Sequence, residues 1–127
     1  MAIKKAPHKK IMVVEDNEAT REGLIFVLQR EGFNVVAFED GQPALDYLGD
    51  GQHPDLIVLD ILMPVLDGWD FLWALQKAPV SFQVPIIVIT GAILSNEWLE
   101  AHDCAGFLRK PFEGEQLLAE IERCLAG

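Results

Sequence analysis

Asp60 ends an apolar run, Asp55-Leu56-Ile57-Val58-Leu59-Asp60, and is followed by Ile61-Leu62-Met63-Pro64. A carboxylate at the carboxyl end of an apolar strand sits where open α/β sheets place their chemistry. It can equally be a strand-terminating Asp that caps the next loop, since Asp is a common turn residue. What else reaches the same place decides between the two. Glu15-Asp16 follows the apolar run Lys10-Ile-Met-Val-Val14, Thr90 ends Pro85-Ile-Ile-Val-Ile-Thr90, and Arg109-Lys110 closes a short run from Gly106. Three carboxylates close together repel, and each is pushed toward protonation. A hard cation relieves that repulsion, and carboxylate oxygens with a backbone carbonyl and waters suit Mg²⁺ (or Mn²⁺). Asp60 would then stay ionised and able to attack a phosphoryl group. The cation, Lys110 and the Thr90 hydroxyl would hold the three phosphoryl oxygens. Each residue also has a plainer reading: first-turn helix acids for Glu15-Asp16, an ordinary strand residue for Thr90, a solvated lysine for Lys110. All of them meeting at successive strand ends is much rarer than any one alone.

The elements that must position these residues alternate. Strands are predicted at 10–14, 34–38, 55–60, 85–90 and 106–109. Helices are predicted at 18–31, 42–49, about 67–77, 95–102 (Ser95 as N-cap) and 113–125. Leu24, Val27 and Leu28 form the buried stripe of the first helix, and Leu117, Leu118, Ile121 and Cys124 that of the last. Five continuous apolar strands alternating with five helices imply a parallel sheet covered on both faces. Right-handed crossovers then bring all five strand ends, with Phe38 and Glu39 among them, to one edge.

Composition narrows the functional class. At 127 residues, half of them hydrophobic, the chain reads as one domain over 9–127 behind a flexible basic leader, 1–8. The net charge is −10. Residues 11–127 hold six basic and twenty acidic residues, a net of −14, so the body should repel nucleic acid and anionic membrane. The basic start has no apolar stretch behind it and is not a signal peptide. Cys104 and Cys124 match no metal spacing and read as reduced thiols of a cytoplasmic protein.

With these residues in order, the chain resembles a response-regulator receiver domain of the chemotaxis-regulator type. The resemblance rests on Glu15-Asp16, Asp60 in Leu-Asp-Ile-Leu-Met-Pro, Asp67-Gly68, Thr90-Gly91 and Lys110-Pro111-Phe112, and covers about residues 9–126. It implies a flavodoxin-like doubly wound sheet of order 2-1-3-4-5 with five helices. It implies that Asp60 is the phosphoacceptor. Asp16 and Asp60 would bind Mg²⁺ with the Leu62 backbone carbonyl, and Glu15 would help through water. Lys110 would contact the phosphoryl group, its bond to Pro111 being cis, and the amides of Leu62 and Gly91 would face the phosphoryl oxygens. Thr90 and Phe107 would form the conformational switch. Thr20, Gly23, Val27, Pro111 and Phe112 would dock the phosphodonor, a histidine kinase or histidine phosphotransfer protein.

Departures from the family pattern carry their own expectations. Phe107 stands where Tyr is frequent, and the segment from Thr90 to Lys110 is about two residues short. Leu62 and Ala92, two residues after Asp60 and Thr90, are both apolar and cannot orient an attacking water, so the phosphoryl state should be long-lived. An Asp at position 62 would favour a phosphohydrolase; Leu62 argues against sustained turnover. With no effector domain on the chain, output is expected through a separate partner, as a monomer or a phosphorylation-dependent dimer. The competing reading is a degenerate receiver that binds partners without phosphorylation. Trp73 is expected to be partly exposed and Trp98 to be packed.

Overall fold

A computed structural model describes residues 9–61, 70, 74, 84–91, 96–101 and 104–126. In chain order they form β1 (Lys10–Val14), α1 (Glu18–Arg30), β2 (Asn34–Phe38), α2 (Gly41–Gly49), β3 (Leu56–Asp60), β4 (Ile86–Thr90), α3 (Asn96–Ala101), β5 (Gly106–Arg109) and α4 (Gly114–Ala126). The helix expected at 67–77 lies outside the described residues apart from Asp70 and Ala74, both helical. Ser95 and Trp73 lie outside them as well. All strands are parallel, in the order β2-β1-β3-β4-β5, as the resemblance implies.

Local chemistry sets the element ends. The Asn17 side chain accepts from the Thr20 amide at 2.8 Å, capping α1, and Glu18 adds an acid to the first turn. Gly32, at φ 93°, follows α1, where its amide donates to the Gln29 carbonyl, and no Cβ opposes the left-handed turn. Asp40 caps α2 by accepting from the Gln42 amide at 2.9 Å.

Strand periodicity divides the core. Met12, Val14, Ile57, Leu59, Ile86 and Val88 point to one face, with Ala44 and Leu48 of α2, and Trp98, Cys104 and Phe107 pack half-buried against them. Ile11, Val13, Leu56, Val58, Ile87 and Ile89 point to the other, under Leu24 and Leu28 of α1 and Leu117 and Ile121 of α4. Side chains alternate along a strand. Glu15, Asp60 and Lys110 therefore fall in step with the α1/α4 face, and Thr90 and Phe107 with the α2/α3 face.

Candidate functional site

The strand ends are tied edge to edge before any side chain is considered. The Glu15 amide donates to the Phe38 carbonyl at 3.0 Å, the Ile61 amide to Ile89 at 3.3 Å, and the Lys110 amide to Thr90 at 2.8 Å. This brings Glu15, Asp16 and Asp60 together, one carboxylate oxygen from each lying within 4.8 Å of the others. Glu15 and Asp60 are buried and Asp16 is exposed, so the cluster opens outward. Lys110 reaches across it. Its Nζ lies 2.8 Å from Glu15 Oε1 and 3.4 Å from Asp60 Oδ2. Burial opposes the charge of this ammonium, but the contacts with Glu15 and Asp60 outweigh it and hold Lys110 above its ordinary value of 10.5.

Three carboxylates and one ammonium leave a formal charge of −2. The donors are all oxygen, and beyond its ion pair the buried Glu15 Oε1 accepts no hydrogen bond among the described residues. Such a set fits a hard divalent cation. Glu15, Asp16 and Asp60 are the residues that could hold it. Leu62, whose carbonyl was expected to join them, lies outside the described residues.

Thr90 is fully buried at the end of β4, and Phe107 is half-buried where β5 pairs with Val88. The Lys110–Pro111 peptide bond is cis, as expected. Gly91 is exposed beyond β4, and the space where a Cβ would stand is open. Glu39 is exposed and does not join the carboxylate cluster. On the flank, Val27 packs against Gly114, 3.3 Å from where a Cβ there would stand, while Phe112 is half-buried and Pro111 exposed. Gly23 has open space around it. Trp98 is half-buried against the core, as anticipated.

Two residues escaped the sequence reading. Arg21 Nη1 donates to the carbonyls of Glu15 at 2.9 Å and Asp16 at 3.3 Å, pinning the loop that carries both acids. A cation this near a helix N-terminus runs against the helix dipole, and that was the available signal. Phe26 of α1 is an exposed large hydrophobic side chain that lies against the Arg30 guanidinium, 5.6 Å from its ring centroid. Its place off the Leu24/Leu28 stripe marked it.

Residues 11–122 match the family model described as the response regulator receiver domain. The chain belongs to the response-regulator receiver family. Its relatives include the transcriptional regulatory protein CpxR of Escherichia coli, 38% identical over 91% of this chain and 49% of that protein. The alkaline phosphatase synthesis transcriptional regulatory protein SphR of Synechococcus elongatus is 33% identical over 95% of this chain and 49% of its own length. The receiver thus spans about half the length of these curated relatives. Among solved structures, the chemotaxis response regulator CheY4 of Vibrio cholerae superposes with a TM-score of 0.83 at 29% identity, covering 93% of this chain and 99% of that one. The signal receiver domain of a signal transduction histidine kinase from Syntrophus aciditrophicus gives 0.79 at 28% identity, covering 94% and 91%. The sheet order of the receiver is that of the flavodoxin-like, CheY-like fold. Among the described residues, no helix is long and apolar enough to cross a membrane.

Proposed function

We propose that this receiver takes a phosphoryl group onto Asp60 from a phosphohistidine on a kinase or phosphotransfer protein. The observation that carries this reading is the buried Asp60 carboxylate set between Glu15, Asp16 and Lys110. A carboxylate oxygen of Asp60 attacks phosphorus, the P–N bond of the phosphohistidine breaks, and its electron pair returns to the imidazole nitrogen. Glu15, Asp16 and Asp60, with the Leu62 carbonyl, hold Mg²⁺ (or Mn²⁺); when bound, the cation supplies positive charge to the phosphoryl oxygens. Lys110 meets one of those oxygens and offsets charge that develops during transfer. Thr90 and the amides of Leu62 and Gly91 hold the others.

The donor docks over Thr20, Gly23 and Val27 of α1 and over Pro111 and Phe112, where exposed Phe26 adds an apolar contact. Phosphorylation draws the Thr90 hydroxyl toward the site and Phe107 into the space it leaves, changing the α3–β5–α4 surface. The protein is a cytoplasmic phosphoacceptor rather than an enzyme with sustained turnover. It makes no direct contact with nucleic acid or membrane, and its output passes to a separate partner. The half-length match to transcriptional regulators supports a second reading, an effector joined to the same polypeptide. An immunoblot of native extract separates the two by size.

The main test adds Mg²⁺ and beryllofluoride, or a radiolabelled small-molecule phosphodonor, to wild type and to Asp60→Asn. A tryptophan fluorescence change and label on wild type, both absent from the variant, are expected. No response from wild type, or an equal response from both, overturns the proposal and favours a receiver that binds partners without phosphorylation.

A further inference from the structure

Among the described residues, strand β5 is a four-residue edge strand whose only strand neighbour is β4. A strand this short has little to hold its register, and a slip of one residue exchanges the faces of all its side chains. Here a slip would carry Lys110 away from Glu15 and Asp60 and send Phe107 to the opposite face. At its start the strand is gripped by α4. Arg123 Nη2 donates to the Ala105 carbonyl at 2.7 Å and to Glu120 Oε2 at 3.0 Å, while Nε donates to Glu120 Oε1 at 3.1 Å. Hydrogen bonding from Arg123 holds the Glu120 carboxyl below its ordinary 4.5 against the opposing effect of burial, and the Phe107 amide contributes.

Gly106 lies directly beneath this pair. A Cβ there would stand 2.5 Å from Glu120 Oε2 and 3.1 Å from Arg123 Nη2. Gly106 is not among the positive-φ glycines, which among the described residues are Gly32 and Gly51, so the missing side chain answers to space and not to backbone conformation. Its neighbours Ala105 and Phe107 both carry a Cβ. Moving either into this seat would force the Glu120–Arg123 pair apart.

We propose that Gly106, Glu120 and Arg123 form a register pin that fixes β5 against β4 and so delivers Lys110 to the carboxylate cluster. Glu120 and Arg123 are then positioning residues, acting on the reaction through Lys110; that last link rests on the phosphoacceptor role of Asp60.

The test uses the full chain with Arg123→Ala and Gly106→Ala. Because the groups that crowd a Cβ at 106 are the flexible ends of Glu120 and Arg123, the second variant should open the pin while keeping the fold. Amide hydrogen exchange at residues 105–110 should rise about three- to tenfold in both variants, the scale of a lost charge-assisted hydrogen bond at a partly exposed site. Amides of β1 and β3 should stay unchanged. Label uptake by Asp60 from a small-molecule phosphodonor should fall with it, and Arg123→Lys, which keeps one donor, should recover part of both. Unchanged exchange at 105–110 would overturn the pin. So would a rise spread evenly over the sheet, or full-rate uptake from an opened strand. If wild type takes up no label, the proposed function fails, and the exchange result alone decides the pin.

Discussion

The two faces of the sheet carry described helices of different length. The α1/α4 face is closed by two 13-residue helices whose Leu24, Leu28, Leu117 and Ile121 are buried on fully buried strand residues. On the α2/α3 face the described helices are nine and six residues long, and half-buried side chains border both faces, Trp98, Cys104 and Phe107 here and Leu108, Phe112 and Leu118 on the other. The fixed charges, Glu15, Asp60 and Lys110, fall in step with the α1/α4 face. Thr90 and Phe107, the pair proposed to move, fall in step with the α2/α3 face. A cation or phosphoryl site needs oxygens held to fractions of an ångström, whereas a moving aromatic needs room.

Substitutions can break or sharpen that contrast. Ile87→Ala, fully buried on the α1/α4 face, should lose about 2–5 kcal/mol of stability in denaturant unfolding. Trp98→Ala, half-buried on the α2/α3 face, should cost clearly less; an equal loss would place Trp98 as firmly in the core as Ile87. Lys110→Ala removes the ammonium that faces Glu15 and Asp60 and should cost about 2–3 kcal/mol, recovered when Mg²⁺ is added during the melt. Phe107→Ala should show no such dependence on the cation. Because Lys110 is held above 10.5, its stabilising charge is complete below that pH and is lost as pH rises through the folded-state value. Wild type should therefore lose an alkaline component of stability that Lys110→Ala lacks. Leu62→Asn should speed loss of label from isolated phosphoprotein roughly tenfold, equivalent to about 1.4 kcal/mol of barrier. A wild-type label that is already short-lived and insensitive to this change would remove the expectation of a persistent phosphoryl state. The smallest effect belongs to Glu120. Its carboxyl is held below 4.5, so its contribution stands above that pH and disappears as pH falls through the folded value. Wild type should lose slightly more than Glu120→Gln on acidification, within the about 0.2–1 kcal/mol of an exposed pair.

Most of the fold was legible because the strands are continuous apolar runs. Strands expected at 10–14, 34–38 and 106–109 have those bounds, and the other two begin one residue later than expected. The carboxylate cluster was legible for the same reason: an acid or lysine at each strand end needs only parallel topology to meet the others. Arg21 and the Glu120–Arg123 pair were not. Their partners are backbone carbonyls and one glycine's vacant side, 5 to 18 residues away in sequence, and beyond the place of Arg21 against the helix dipole no pattern in residue type announces them.

By itself the sequence determined which residues line the sheet edge, since hydrophobic burial and right-handed crossover leave little choice for five such strands. Only the tertiary structure decided how they pair. Lys110 lies nearer Glu15 than Asp60, and both hold its ammonium above its ordinary 10.5. The assignment of Glu15, Asp60 and Lys110 to the face of α1 and α4, and of Thr90 and Phe107 to the face of α2 and α3, also came from packing. Alternation fixes which residues share a face, but which helices close that face, and how tightly, depends on contacts between elements far apart in the chain.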